Sequence, residues 1–398
     1  MLTVATAGRV RRLSGVTDPR DRAQELLHLW EEELRREIPA GQDIFDAHVH
    51  LGTDIDGMRG DFDEMTRIFD AHGVSRCFVF CLDEPDRVPA FSAANDRTLA
   101  FAERSQGRYI PFARLDLVEG PHEEANRSLD LGAQGIKLHP RAQRFDVGDS
   151  KLEGVFAIAA ERRVPILIHG GRGLPPIADE LGRLVELHPE ARLIIAHCGI
   201  ADMGRLADRV GHHPNVFFDT SAWNPFDLLD FYAQVAPEQV LYASDYPYGQ
   251  QPSSLLIAVR TAKAAGFDEA QLRAMLSGTS HLIADGKPTP PPTRPVGSQE
   301  LRIPLVFARI SAYVTTATPL LWTRQQDVIG AMGLAINACG ERSPFPEDMQ
   351  RVRDRLETAR DSWTALADIE NDRDRWRASR ETFRLLHLAN IVACTPQA

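Results

Sequence analysis

Two histidines in the segment Asp46-Ala47-His48-Val49-His50 are the first side chains whose types and spacing could do chemistry. Side chains alternate between the two faces of a β-strand, so His48 and His50 point to the same side if this segment is extended. Two imidazole nitrogens on one side can reach one divalent ion at about 2.0–2.1 Å. One such pair is a weak signal, because a histidine in an apolar strand is more often a hydrogen-bonded core residue.

Ligand-type residues also end other apolar runs. His169 ends ILIH, His197 ends IIAH and Asp245 ends YASD. Several independent strand ends that all carry metal-ligand side chains are hard to explain by core packing alone. In a parallel barrel the C-terminal strand ends meet at one mouth, where barrel enzymes carry their active sites. The pattern therefore predicts a metal site at that mouth.

Eight short apolar runs position these residues and recur at intervals of roughly 20 to 35 residues, as βαβ units do. They are almost continuously hydrophobic, which is typical of parallel strands buried on both faces. The runs cover residues 43–47, 76–80, 109–115, 135–138, 165–168, 192–196, 216–219 and 240–244. Their number predicts a (β/α)₈ TIM barrel over residues 43–286. The alternative is an open doubly wound sheet, but no glycine-rich phosphate-binding motif follows the first run.

The flanks of the predicted barrel have a different character. Residues 18–38 follow helical spacing, which predicts an amphipathic helix within an N-terminal extension, residues 1–42. Residues 287–300 begin with KPTPPPTRP, a proline-rich linker that cannot hold a helix. Residues 301–398 show no strand pattern and predict an all-helical appendage. Its apolar stripe predicts packing on the barrel or on a second copy, and hence a homodimer.

Composition and charge exclude several functions. The 398 residues carry a net charge of −11, so we expect no nucleic-acid or anionic-membrane partner. No apolar run is long enough to span a membrane, and the N-terminal arginines precede no signal-peptide segment. The five cysteines form no CxxC pair. We expect a cytoplasmic protein that acts on a small molecule.

The motifs together resemble the amidohydrolase superfamily, in particular the amidohydrolase-related branch that includes aminocarboxymuconate-semialdehyde decarboxylase-like enzymes. The resemblance covers the barrel in the right order and leaves both flanks uncovered. It implies that His48, His50, His169 and Asp245 bind a metal ion. It also implies that Asp245 and His197 are catalytic, His197 as a base or electrophile beside the ion or as a ligand to a second one. The matching segments are DAHVHLG at 46–52, GIKLHP at 135–140, ILIHGG at 166–171, IIAHCG at 194–199, NVFFDTSAW at 215–223 and YASDYPYG at 242–249.

The chemistry of this ligand set favours Zn²⁺, with Mn²⁺ or Fe²⁺ as alternatives. By the resemblance, Lys137 is the only candidate for the carbamylated lysine that bridges two ions in binuclear members of the superfamily. The plainer interpretation is that Lys137 and His139 bind an anionic group of the substrate. We expect a single ion.

Further residues that follow the strands could bind substrate. Arginine forks suit carboxylates, and aromatic side chains suit flat rings. Taken with Lys137 and His139, these residues predict a small acidic or aromatic substrate. They are Arg114, Arg172, Trp223 and Tyr248.

Three functions remain open from the sequence. The preferred one is hydrolysis of an amide, lactone or ester by a metal-activated water, with Asp245 and His197 handling protons. The first alternative is non-oxidative decarboxylation of an aromatic or dienyl carboxylate, in which His197 protonates the carbon that loses CO₂. The second is an inactive barrel that serves as a binding scaffold, and the intact ligand set argues against it. The pattern Asp-Ala-His-Val-His fits hydrolases at least as well as decarboxylases.

Overall fold

In a computed structural model of the chain, residues 19–297, 303–323 and 325–397 are described. Parts of the predicted N-terminal extension (1–18), linker (298–300) and appendage (301–302, 324 and 398) lie outside the described residues. The chain forms two compact units, Leu34–Arg302 and a second one that joins the residues up to Glu33 to those from Ile303. All of the residues with predicted chemistry belong to the first unit.

Nine strands form the sheet of the larger unit. Eight of them are parallel and pair in chain order, whereas the two-residue β2 pairs antiparallel with β1. Each of the eight apolar runs in the sequence overlaps one of the parallel strands. The strands are β1 Ile44–Thr53, β2 Arg59–Gly60, β3 Val74–Cys81, β4 Tyr109–Arg114, β5 Gly135–Leu138, β6 Pro165–Ile168, β7 Arg192–Ile195, β8 Val216–Asp219 and β9 Val240–Leu241.

The last strand returns to the first and closes the sheet. The amide of Ala47 donates to the carbonyl of Tyr242 at 2.9 Å. Farther along, Val49 and Tyr246 form a parallel bridge, and the amide of His50 donates to the carbonyl of Tyr246 at 2.7 Å. Eight parallel strands closed in this way confirm the predicted (β/α)₈ barrel.

Helices alternate with the strands of the larger unit, and one further helix, Pro19–Glu37, precedes the first strand and belongs mostly to the smaller unit. Local signals fix their ends: the Asp61 carboxylate accepts from the amide of Glu64 at the start of α2, and Gly73 ends it with a φ of 70°. A π-helical turn, Ala274–Gly278, lies between the last two helices of this set. The helices are α1 Pro19–Glu37, α2 Phe62–His72, α3 Ser92–Arg104, α4 Pro121–Asp130, α5 Pro140–Gln143, α6 Lys151–Arg162, α7 Ala178–Leu187, α8 Met203–Val210, α9 Pro225–Tyr232, α10 Gln251–Ala265, α11 Glu269–Arg273 and α12 Thr279–Ala284.

Apolar side chains from β1, β3, β4 and β6–β9 fill the barrel interior. The cluster includes Phe45, Phe78, Phe112, Ile194 and Leu241, each with at most 2% of its surface exposed. Burial of this apolar surface is the main free-energy term that favours the fold. The packed interior leaves the C-terminal strand ends as the place for polar side chains.

The smaller unit is helical from residue 305 to residue 394 apart from its turns, as predicted for the C-terminal region. Helix α15 packs along α16, and α13 packs against both α14 and α16. A buried hydrogen bond from the Ser311 hydroxyl to the Asn390 side chain, 2.6 Å long, joins α13 to α16. None of the described helices combines the length and the apolar character needed to cross a bilayer. The helices are α13 Leu305–Trp322, α14 Val328–Ala338, α15 Pro346–Ala365 and α16 Asp372–Cys394.

Candidate active site

Three strands and the turns that follow two of them bring the predicted ligands to one end of the barrel. His48 and His50 lie within β1 rather than after it, because β1 runs on to Thr53. His169 directly follows β6, and Asp245 lies just beyond β9. Asp245 adopts a φ of 59°, a left-handed conformation that is uncommon for a residue other than glycine. The backbone turn therefore aims this carboxylate back toward β1.

Three of these side chains form a compact group, with each donor atom close to the other two. His48 Nε2 lies 3.1 Å from His50 Nε2. Asp245 Oδ1 lies 3.2 Å from His48 Nε2 and 3.3 Å from His50 Nε2. A tetrahedral site with bonds of about 2.0–2.1 Å has ligand atoms about 3.3 Å apart. The spacing of this group therefore matches a divalent-metal site.

The tautomers of the two histidines strengthen this fit. His48 Nδ1 lies 2.8 Å from Asp219 Oδ2, and His50 Nδ1 lies 3.4 Å from the carbonyl of Cys81. Because a carboxylate and a carbonyl only accept, both Nδ1 atoms carry the proton and both Nε2 atoms carry a lone pair. Together with the Asp245 carboxylate, three acceptors face one another without a shared proton. Such a set calls for a cation.

The histidines after β6 and β7 form the other half of the site. His197 Nε2 lies 3.0 Å from His169 Nδ1. The ligand atoms of His48, His197 and Asp245 all lie within 4.8 Å of one another. His169 Nε2 is buried and has no hydrogen-bond partner among the described residues. The structure thus brings all five predicted ligand and catalytic residues together.

Asp219, at the end of β8, joins the two halves and was given no role from the sequence. Its Oδ2 accepts from His48 Nδ1. Its Oδ1 accepts from the His197 amide at 2.8 Å and from the Ser221 amide and hydroxyl at 3.0 and 2.5 Å. Carboxylates that orient metal-binding histidines in this way are a regular part of metal sites. The sequence signal was an aspartate at the end of the apolar run VFFD.

The same network fixes the orientation of His197. Its Nδ1 faces the carbonyl of Ser221 at 3.0 Å and the Ser221 hydroxyl at 2.8 Å. That hydroxyl already donates to Asp219, so Nδ1 of His197 must be the donor. His197 Nε2 therefore carries a lone pair, which faces His169 Nδ1 at 3.0 Å.

Asp46 is a second carboxylate that the sequence analysis left without a role. Its Oδ1 accepts from the Ser244 amide at 2.9 Å and the His48 amide at 3.2 Å, and its Oδ2 accepts from the Gln251 side chain. Complete burial raises its pKa to about 7, although these hydrogen bonds oppose the shift. Asp46 holds β1 against the segment that carries Asp245.

Burial sets the charge states in the site. It lowers the pKa of His48, His50 and His169, with neighbouring positive charges adding to the effect at each. Burial would raise the pKa of Asp245, but the nearby histidines outweigh it and lower that pKa to about 2. Neutral imidazoles and one carboxylate anion are the forms that bind divalent metal ions.

The predicted substrate-binding residues fall into two groups. Lys137 is buried, with Nζ 3.3 Å from His48 Nε2 and 4.4 Å from the centre of the Phe80 ring. Burial lowers its pKa to about 7. His139 stacks on His169 with ring centres 3.9 Å apart, and Tyr248 meets His50 edge-on at 6.0 Å. These residues surround the ligand group.

The other predicted substrate-binding residues, Arg114, Arg172 and Trp223, differ in how deeply they are buried. Arg114 is buried at the end of β4, where it pairs in register with Lys137. Arg172 is exposed, and its guanidinium pairs with Asp227 through two contacts of 2.9 Å. Trp223 is about two-fifths exposed in the loop after β8. The structure therefore places Arg114 in the site and Arg172 on the surface.

Several solved structures resemble the barrel, each covering 61–62% of this chain and 97–99% of its own. A 2,6-dihydroxybenzoate decarboxylase from Rhizobium is 17% identical, with a TM-score of 0.47. A dihydroxybenzoic acid decarboxylase from Polaromonas sp. JS666, with bound manganese and the inhibitor 2-nitroresorcinol, is 15% identical with a TM-score of 0.49. A probable 2-pyrone-4,6-dicarboxylic acid hydrolase from Acinetobacter baumannii, with citric acid bound, is 14% identical with a TM-score of 0.46.

Among curated proteins, none matches the chain. A family model described as Amidohydrolase matches residues 45–281, which is more than half of the chain and runs from the first barrel strand into α12.

Proposed function

This chain belongs to the amidohydrolase family of metal-dependent enzymes, and on that premise we propose that it hydrolyses an amide, lactone or ester bond in a small acidic or aromatic substrate. One observation carries the proposal. His48 Nε2, His50 Nε2 and Asp245 Oδ1 stand 3.1–3.3 Å apart as three acceptors with no proton between them. A divalent cation bound by all three atoms would remove the repulsion between these acceptors. Such an ion also makes water a nucleophile near neutral pH.

The proposed ligands are His48, His50, His169 and Asp245. His169 would use its buried Nε2, which has no other partner among the described residues. Three nitrogens and one carboxylate oxygen favour Zn²⁺ over Mn²⁺ or Fe²⁺. When bound, the ion would polarise the substrate carbonyl and lower the pKa of a water molecule beside it.

The proton transfers fall to Asp245 and His197. The Asp245 carboxylate is ionised and lies against both histidines of β1, so it can accept the proton of the attacking water and return it to the leaving group. His197 presents its Nε2 lone pair to the same place, because Nδ1 is committed to the Ser221 carbonyl. We assign His197 the role of accepting the second proton of that water, the one released when the tetrahedral species collapses to a carboxylate and the leaving group takes the proton from Asp245.

The chemical state of Lys137 determines whether the site would hold one ion or two. Its Nζ reaches His48 Nε2, so an ammonium there can bind an anionic atom of the substrate. The alternative is a carbamylated Lys137 that would hold a second ion, with His197 as a ligand to that ion. We propose the single-ion form, with His139, Trp223 and Tyr248 as the other side chains that contact substrate. Arg172 is a weaker candidate because Asp227 already occupies its guanidinium.

The test is a substrate panel on the purified full-length chain loaded with Zn²⁺, Mn²⁺ or Fe²⁺. Lactones, amides and hydroxybenzoates are assayed in parallel for hydrolysis product and for released CO₂. Hydrolysis that depends on the added ion supports the proposal. Release of CO₂ from a hydroxybenzoate without hydrolysis would support the decarboxylase alternative. Less than about half an equivalent of bound metal, with no activity gained on adding an ion, would favour the scaffold alternative.

A further inference from the structure

The guanidinium of Arg114 is buried but only partly hydrogen-bonded. The residue exposes 1% of its surface. Nη1 donates to the carbonyl of Cys81 at 3.3 Å, whereas Nε and Nη2 have no hydrogen-bond partner among the described residues. These two nitrogens lie on the same edge of the planar group, the edge that donates two parallel hydrogen bonds to one carboxylate. Unsatisfied buried donors are costly, so this edge points to a missing acceptor.

The surroundings of Arg114 hold it rigidly in place. The Phe91 ring lies beneath the guanidinium, 4.8 Å from ring centre to Cζ. The Asn95 side chain clamps the backbone, because its Oδ1 accepts from the Arg114 amide at 2.8 Å and its Nδ2 donates to the Arg114 carbonyl at 3.0 Å. A guanidinium held by a ring and a carbonyl, on a backbone that is itself clamped, loses little conformational entropy when it binds a ligand.

The position of Arg114 connects it directly to the ligand group. The Cys81 carbonyl that accepts from Arg114 Nη1 also faces Nδ1 of His50 at 3.4 Å. Arg114 also lies in register beside Lys137, whose Nζ touches His48. One carbonyl group therefore separates the guanidinium from a proposed metal ligand.

An internal carboxylate is close to Arg114 but does not satisfy it. Asp83 Oδ1 lies 3.9 Å from Arg114 Nη2, which is too long for a hydrogen bond, and 3.2 Å from Arg87 Nε. Asp83 thus balances part of the charge while the Nε and Nη2 protons stay free.

We propose that the free edge of Arg114 binds a carboxylate of the substrate and so restricts the substrate to small organic acids. The claim that Arg114 binds a carboxylate rests on the contacts of Arg114 alone. The claim that this carboxylate belongs to the substrate rests on the proposed function, because the bound metal ion would act on the bond to be cleaved while Arg114 holds the acid. Lys137 would serve a different atom, beside His48.

The experiment measures binding of benzoate and of its neutral analogue benzamide to the metal-loaded full chain by calorimetry. We expect benzoate to bind at least about tenfold more tightly than benzamide, as charged hydrogen bonds allow. Arg114→Met should abolish the preference, and Arg114→Lys should lose most of it, because an ammonium keeps the charge but not the fork. Arg205→Met, which removes an exposed arginine of α8 that pairs with Asp179, should keep it.

Thermal melting and metal content are measured for every variant. If Arg114→Met does not fold, the lysine variant decides. An unchanged preference for benzoate in either folded Arg114 variant would overturn the proposal. An equal loss of melting temperature in Arg114→Met and Asp83→Asn, with no change in benzoate binding, would also overturn it, because Arg114 would then only stabilise Asp83. Absence of metal or turnover would instead count against the proposed hydrolase, since benzoate binding is read without turnover.

Discussion

Two buried polar clusters of the larger unit differ in how completely their hydrogen bonds are satisfied. The mouth cluster, which comprises His48, His50, His169, His197 and Asp245, sets acceptors against acceptors and leaves His169 Nε2 without a partner among the described residues. The Glu124 cluster, between α3 and α4, comprises Ser92, Asn95, Glu124, Arg127 and Ser128. There the Glu124 carboxylate accepts five hydrogen bonds of 2.7–2.9 Å.

The difference in hydrogen-bond satisfaction distinguishes a cluster that binds a ligand from one that only stabilises the fold. A buried carboxylate with a full set of donors needs nothing more and serves to hold its elements together. Acceptors that face one another, with Lys137 Nζ beside His48 as the neighbouring donor, are unfavourable on their own and persist where a ligand completes the group. By this criterion the mouth cluster is a binding site and the Glu124 cluster is a structural one.

The largest effect should follow from removing the anion of the mouth cluster. Asp245→Ala eliminates the only carboxylate among the proposed ligands, so we expect less than about a tenth of an equivalent of metal and a loss of turnover of about a thousandfold or more. Mass spectrometry of bound metal and steady-state kinetics measure both. Asp230→Ala, at an exposed position of α9, is the matched control and should retain metal and turnover. A variant at Asp245 that keeps both would refute the ligand assignment.

A nearly equal loss should follow at the other half of the mouth cluster. His169→Ala removes the buried Nε2 that we assign to the ion, while His48, His50 and Asp245 stay in place. We expect metal to be lost on dialysis and activity to disappear while the fold is kept. Far-ultraviolet circular dichroism and metal analysis test this, with His212→Ala at an exposed position as control. If the ion remains bound and turnover continues, the site consists of the β1 histidines with Asp245 and His197 instead.

A smaller effect is expected at Asp219, which touches the histidines but not the proposed ion. Asp219→Asn keeps the shape but sets an amide NH₂ among N–H donors, so the tautomer of His48 is no longer fixed and the backbone amide of His197 can lose its acceptor. We expect metal affinity to fall about 10- to 100-fold, as measured by competition with a chelator. Ser221→Ala keeps the Asp219 carboxylate, so its metal affinity should fall by less than that of Asp219→Asn. Equal affinity in wild type and Asp219→Asn would mean that the contact only supports packing.

The sequence was sufficient for the barrel because its signals are local. Each parallel strand is a short, continuous apolar run, and His48 and His50 share a face through the period of a single strand. The ligand-type residues at strand ends could be collected because parallel strands end at one mouth. These inferences require no knowledge of which side chains touch.

The parts that could not be predicted depend on contacts between distant segments. Asp219 meets His48 across 171 residues, and no local pattern announces that pair. The left-handed backbone at His197 and Asp245 is equally invisible, since neither residue is a glycine. Arg114 and Arg172 looked alike in the sequence, and only the structure shows that Arg114 is buried beside Lys137 whereas Arg172 is exposed and paired with Asp227.

The smallest effect is predicted for the satisfied cluster, where stability rather than binding should change. Burial would raise the pKa of Glu124, but the hydrogen bonds from Arg127, Asn95 and the two serines outweigh it and lower that pKa. A lowered pKa in the folded state contributes stability above the unfolded pKa of about 4.3 and loses it as pH falls through the folded value.

Glu124→Gln should therefore lower the free energy of unfolding by about 1–3 kcal/mol at pH 7, the range for hydrogen bonds to a buried charge. The difference from wild type should stay constant down to about pH 5 and shrink below about pH 4, where wild-type Glu124 begins to take up its proton. Urea unfolding at several pH values measures it, and metal content should be unchanged. A pH-independent difference would show that the charge of Glu124 is not what stabilises the cluster, and loss of metal would remove the distinction between the two clusters.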